Sequence, residues 1–126
     1  MKKRILVVDD ELSIRMLLDN FLSDEYTVFT KDNGYEAMSW FKEGNTADLI
    51  LVDIDMPMIN GYELTENIRK QPGMHSVPII MLSSKQKSED RIKSFSAGAD
   101  DYLQKPFNPE ELLIRIQSIF RRSQAA

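Results

Sequence analysis

Ile5-Leu6-Val7-Val8-Asp9-Asp10 is the stretch that decides the fold. Four consecutive apolar residues, three of them β-branched, leave no polar face, so a strand built from them must be covered on both sides. Two aspartates then close it. The same pattern returns at Leu49-Ile50-Leu51-Val52-Asp53 and at Ile79-Ile80-Met81-Leu82-Ser83. A more polar run, Thr27-Val28-Phe29-Thr30, suits the edge of a sheet, and a weaker one follows at Tyr102-Leu103.

Segments of helical period lie between the runs. Ile14, Leu17, Leu18 and Phe21 recur at i, i+3, i+4 and i+7, one apolar stripe. Asn33/Glu36, Asn60/Glu63 and Asn108/Glu111 have the spacing of a capping box, and Pro109 suits the first helical position. Gly98 is placed to end the preceding helix. Five strands alternating with five helices predict an α/β fold: a doubly wound five-stranded parallel sheet with helices on both faces.

The chain has 126 residues, one domain's length, enough to bury a core without staples. The absence of cysteine excludes a disulfide scaffold, a zinc–thiolate site and a thiol nucleophile. A net charge of −4 gives no general attraction to nucleic acid, so contact with DNA must come from a local patch or from an additional domain. Met1-Lys2-Lys3-Arg4 opens like a signal peptide, but the apolar run behind it stops at Val8. The expectation is a cytoplasmic chain with no membrane partner. Residues 1–122 read as one domain and 123–126 as a tail or the start of a linker, since the composition changes after Phe120.

Ligand sites in open α/β sheets lie at the carboxyl ends of the strands, near the point where strand order reverses. Asp9 and Asp10 follow the first strand, Asp53 the third, Ser83 the fourth and Lys105 the fifth. In the order 2-1-3-4-5, strands one and three are neighbours and the three carboxylates converge. An all-oxygen acidic cluster without histidine or cysteine suits a hard cation, Mg²⁺ first. Lys105 and Ser83 can hold a phosphoryl group, and a carboxylate can accept one as an acyl phosphate. Asp53, the single central acid opposite the lysine, is the candidate nucleophile. Each piece has an ordinary explanation alone: a turn or cap for Asp-Asp, a helix start for Ser83-Ser84, a solvated loop for Lys105-Pro106. Together, at four strand ends, they indicate a site.

Val8-Asp9-Asp10-Glu11, Asp53-Ile54-Asp55-Met56-Pro57 with Gly61, Ser83, and Gly98 through Phe107 together resemble the receiver domain of bacterial two-component response regulators. The resemblance runs from Ile5 to Arg122 and implies a CheY-like, flavodoxin-like fold. It implies that Asp53 accepts a phosphoryl group from a sensor histidine kinase or a histidine phosphotransferase. It implies Mg²⁺ on Asp10, Asp53 and the backbone carbonyl of Asp55, with Asp9 acting through water. Lys105 would pair with the phosphoryl oxygens, its bond to Pro106 being cis. Ser83 and Tyr102 would form the switch, the hydroxyl moving to the phosphoryl group and the tyrosine turning inward. The family usually has alanine where this chain has Ser84, which with Lys85 and Asp55 bears on how long the phosphorylated state lasts.

Glu111, Arg115, Ser118 and Arg122 form a polar stripe on the last helix, near Arg91, Ile92 and Phe95 and near Asp100 and Asp101. This set resembles the OmpR-type subfamily, whose receivers dimerise through this face and carry a winged-helix DNA-binding domain. The implied cross-dimer pairs are Arg91 with Glu111, Asp100 with Arg115, and Asp101 with Arg122. Two other functions compete: a phosphatase of Asp-x-Asp type, from Asp53-Ile54-Asp55, and a scaffold of the same fold that never carries phosphate. His75 reads as a bystander, and Trp40 as a partly packed surface residue or a partner contact.

Overall fold

Every residue of the three all-apolar runs is fully buried, as strands covered on both faces require. A computed structural model of the chain describes residues 1–84 and 88–124. Strands β1 (Arg4–Val8), β2 (Thr27–Lys31), β3 (Leu49–Asp53), β4 (Ile79–Ser83) and β5 (Asp101–Gln104) alternate with helices α1 (Leu12–Leu22), α2 (Gly34–Lys42), α3 (Gly61–Arg69), α4 (Ser88–Ala97) and α5 (Pro109–Gln124). All pairings are parallel. The strand order is β2-β1-β3-β4-β5, as predicted, with the two more polar strands at the edges.

Strand alternation sorts the core into two layers. Leu6, Val8, Ile50, Val52, Ile79 and Met81 pack against Ala37, Trp40 and Phe41 of α2 and Leu64 and Ile68 of α3. Ile5, Val7, Leu49, Leu51, Ile80 and Leu82 pack against Leu18 and Leu22 of α1 and Leu112, Ile116, Ile119 and Phe120 of α5. Each such side chain contributes roughly 1.5–3 kcal/mol relative to exposure. The buried stripe of α1 is therefore Ile14, Leu18, Phe21 and Leu22, while Leu17 faces outward at the margin of the stripe.

Trp40 is buried, with its ring centroid 5.2 Å from both Phe29 and Phe41. It is a core residue and not the surface contact its sequence neighbourhood suggested. His75 is exposed, but its Nδ1 lies 2.7 Å from the Arg69 carbonyl and so fastens the end of α3. Helix α5 continues past Phe120 to Gln124, and the exposed, basic Arg121 and Arg122 suit a helix carboxyl end.

The asparagine caps form as the spacing predicts at Asn33 and Asn60, which accept from the Glu36 and Glu63 amides at 2.8 and 3.0 Å. Asn108 accepts instead from the amide of Glu110, one residue earlier than expected, at 2.8 Å. Gly98 (φ 113°) after α4 and Gly44 (φ 97°) after α2 sit where a positive φ continues the chain, the latter in open space. Met58, exposed in the β3–α3 loop, also has a positive φ of 69°. A methionine there is strained, so Met58→Asn is expected to raise stability by up to about 1 kcal/mol, read from urea unfolding midpoints.

Candidate functional site

The strand order sets the carboxyl ends of β1 and β3 side by side, and with them Asp9 and Asp53. Both residues are buried, at 0% and 2% exposure. Asp9 is fixed from three directions. Its amide donates to the Lys31 carbonyl at 3.1 Å, its Oδ1 accepts from the Glu11 amide at 2.9 Å, and its Oδ2 accepts from Lys105 Nζ at 2.8 Å. Asp53 Oδ1 lies 3.4 Å from the same Nζ and accepts a weak bond from the Asp55 amide at 3.3 Å. Lys105 is brought in by β4: its amide donates to the Ser83 carbonyl at 2.6 Å. The Lys105–Pro106 bond is cis, as expected.

Asp9, Asp10, Glu11 and Asp53 each place a carboxylate oxygen within 4.8 Å of the others. Burial, and after it the charge of Asp9, pushes the Asp53 carboxyl up to about 7. Burial also raises Asp9, against the lowering effect of Lys105. Burial opposes the charge of Lys105, but its bonds to Asp9 and Glu11 and the charge of Asp53 outweigh that and raise it. The residues fit a hard divalent cation on their own evidence. Two buried acids resist ionisation, one lysine cannot neutralise four carboxylates, and every donor is oxygen.

In the metal-free protein the ionised form of Asp53 therefore works against folding. Its folded value near 7 lies above the ordinary 3.8, so the stabilisation from the protonated form is complete below 3.8 and is lost as pH rises through 7. Asp53→Asn removes the titration. In EDTA it is expected to be more stable than the parent chain at mildly alkaline pH by on the order of 1–3 kcal/mol, with the gap closing in acid. Urea unfolding across that range measures it.

Ser83 is fully buried at the end of β4, and Tyr102 is buried with the Arg91 guanidinium 5.6 Å from its ring centroid. Its ring thus already lies inward. Asp55 and Ser84 are exposed and joined, Ser84 Oγ donating to Asp55 Oδ2 at 3.2 Å. Lys85 lies outside the described residues. Gly61 comes against the back of β3: its amide donates to the Ile54 carbonyl at 2.9 Å, and a Cβ there would stand 2.6 Å from the Asp53 carbonyl oxygen. Glu11 was not singled out as a site residue, yet it belongs to the cluster and contacts Lys105. Its place directly after Asp9-Asp10 was the available signal.

On the face of α4, β5 and α5, Ile92 and Phe95 of α4 are exposed, and Ile114 of α5 is exposed in a cleft with Asp101 and Arg115. Several of the charges on this face also pair within the chain. Arg115 bonds Asp101 at 2.9 Å and Glu111 at 3.3 Å, while Asp100 bonds Arg69 at 3.1 Å. Asp100 shares a cleft with Arg122 and Ile119, and Asp101 shares another with Arg115, Ser118 and Arg122. Consecutive residues at the start of a strand point to opposite sides, and Asp101 is the one that faces Arg115. Among the described residues no helix is long and apolar enough to cross a membrane.

The family model described as the response regulator receiver domain matches residues 5–117. A probable transcriptional regulator, ycf27 of Porphyridium aerugineum, is 44% identical over 122 residues, covering 96% of this chain and 49% of that protein. The transcriptional regulatory protein ResD of Bacillus subtilis is 43% identical over 121 residues, covering 95% and 49%. The chain thus spans about half the length of these curated relatives. The solved chemotaxis response regulator CheY4 of Vibrio cholerae superposes with a TM-score of 0.88 at 34% identity, covering 94% of this chain and 99% of that one. With a family model matched over residues 5–117 and these relatives at least 43% identical over 95% or more of its length, this chain belongs to the response regulator receiver domain family of two-component systems.

Proposed function

We propose that Asp53 is the phosphoacceptor. The observation that carries this is a buried carboxylate at the end of β3, 3.4 Å from a lysine ammonium and within an acid cluster that calls for a cation. In its ionised form an Asp53 carboxylate oxygen attacks the phosphorus of a phosphohistidine on a sensor histidine kinase or a histidine phosphotransferase. The P–N bond breaks, its electron pair stays on the imidazole, and an acyl phosphate remains on Asp53. Asp10, Asp53 and the Asp55 backbone carbonyl would hold Mg²⁺, with Asp9 beside them in the same acid cluster. When bound, the ion offsets the negative charge of the phosphoryl oxygens. Lys105 moves its hydrogen bonds to those oxygens, and the Ser83 hydroxyl donates another. Hydrolysis of the acyl phosphate by water resets the site, so the chemistry is confined to the chain's own side chain. Intact mass after incubation with Mg²⁺ and acetyl phosphate tests this: one labile phosphoryl adduct that EDTA prevents is expected, and its absence would overturn it.

Exposed Leu12 and Met16, one turn apart on α1 beside the acid cluster, offer the phosphodonor an apolar ledge. Output runs through Ser83 and Tyr102 to the face of α4, β5 and α5, and DNA is reached only through a further domain of a longer regulator. Ile92 and Phe95 supply the apolar part of a two-fold interface, with Arg91, Asp100, Asp101, Glu111, Arg115 and Arg122 around it. Sedimentation equilibrium of the Mg²⁺-beryllofluoride complex is expected to show a dimer that Phe95→Glu weakens at least about tenfold. A monomer at high concentration would remove the dimer from this scheme.

A further inference from the structure

Glu11 stands at the N-cap of α1, where a short oxygen-bearing side chain ordinarily accepts an amide bond from the first turn. Its side chain makes no capping bond. Its own amide is held by Asp9 Oδ1, and its carboxylate reaches across the mouth of the site to Lys105 Nζ at 3.0 Å. The side chain is 56% exposed, so water is freely available to it, and it nonetheless sits on the lysine.

An ammonium has three hydrogens to place. The closest acceptors of Lys105 are Asp9 at 2.8 Å and Glu11 at 3.0 Å, with Asp53 farther off at 3.4 Å. The cation meant to meet charge on Asp53 is thus bound more closely by two other carboxylates, one of which lies at the solvent edge.

We propose that Glu11 is a positioning residue for Lys105: in the resting chain it holds one N–H of the ammonium at the mouth of the site, so that Asp53 is the most distant of its three carboxylate partners, and phosphoryl transfer requires that contact to be exchanged. This rests on Asp53 as phosphoacceptor. No proton moves in the exchange. One N–H of Lys105 leaves the Glu11 carboxylate and is directed at a phosphoryl oxygen, and the Glu11 carboxylate passes to water. A phosphoryl group on Asp53 brings negative charge close to Glu11, which favours the release.

Two variants separate holding from mere charge. Glu11→Gln keeps the length and removes the charge; Glu11→Asp keeps the charge but is one methylene too short for the reach. The first readout needs neither metal nor phosphate: trace acetylation of Lys105 by acetic anhydride in EDTA, normalised to exposed Lys42 and read by peptide mass spectrometry. The expected result is acetylation about two- to fivefold faster in both variants, the range of one exposed ion pair. The second is the rate of adduct formation from acetyl phosphate with Mg²⁺, expected to rise by a similar factor in both. Unchanged acetylation of Lys105 in both variants overturns the proposal. So does an Asp variant that behaves like the parent while the Gln variant differs, since that is an effect of charge alone. Faster acetylation with no adduct on the parent chain supports the hold on Lys105 and overturns the phosphoacceptor assignment instead.

Discussion

Asp53→Asn, incubated with Mg²⁺ and acetyl phosphate, is expected to take up no phosphoryl group under conditions where the parent chain gains one. The amide occupies the same space at the end of β3 and preserves the packing around it. Its nitrogen lone pair is delocalised, however, and its oxygen carries no full charge, so the nucleophile is gone while the pocket stays. The rate of adduct formation should fall by at least roughly 10³-fold, the scale on which loss of an essential nucleophile is felt. Asp9 and Asp10 lie close enough to raise the question of substitution by a neighbour. Asp9 is engaged on both oxygens by Glu11 and Lys105, which leaves it poorly placed to attack. An adduct that survives in Asp53→Asn, mapped by peptide mass spectrometry, would move the acceptor to another residue and refute the assignment.

Gly61→Ala is expected to have the largest effect of any single methyl added near the site. The new Cβ would meet the Asp53 carbonyl oxygen at 2.6 Å and the Ile54 Cα at 2.7 Å, both strand-end backbone that cannot swing aside. Either α3 backs away and gives up the Gly61–Ile54 bond, or the end of β3 shifts and carries Asp53 with it. Overpacking of this kind costs about 1–3 kcal/mol or more. That corresponds to a fall in melting temperature on the order of 5–10 °C for a chain of this size. The phosphorylation rate should fall as well, because Asp53 and Lys105 must keep their spacing. Gly44→Ala is the control. It has open space around it and only a backbone preference to lose, so a cost of about 1 kcal/mol with normal phosphorylation is expected. Equal effects at the two positions would show that steric contact with β3 is not what Gly61 avoids.

Much of this was legible in the sequence because each part rested on local chemistry. Ile5–Val8, Leu49–Val52 and Ile79–Leu82 have no polar face, so only a doubly covered strand accommodates them, and Thr27 and Thr30 mark an edge. The site followed because Asp9, Asp53, Ser83 and Lys105 each stand at or just past a strand end, where such folds bind ligands. What stayed hidden depended on side-chain direction across long stretches of chain. The Glu11–Lys105 contact joins residues 94 apart and needs the mouth of the site to be closed first. The division of labour between Asp100 and Asp101 needs the start of β5 to be fixed within one residue. Trp40 beside Phe41 looks ambiguous because adjacency does not say which ring turns inward; here both do.

Gly44 also matters to anyone who would make the chain report on its own state. The residues that carry chemistry all lie at the carboxyl ends of the strands, and the turn holding Gly44 leads into the amino end of β3, on the far side of the sheet. It stands in open space, and its bond to the Phe41 carbonyl at 3.0 Å closes α2 before the chain proceeds. A short peptide epitope or a dye-bearing cysteine spliced in after Gly44, in a chain with no native cysteine to compete, would label every molecule at one address remote from the acids. The fold thus comes with a handle at one end and its working parts at the other.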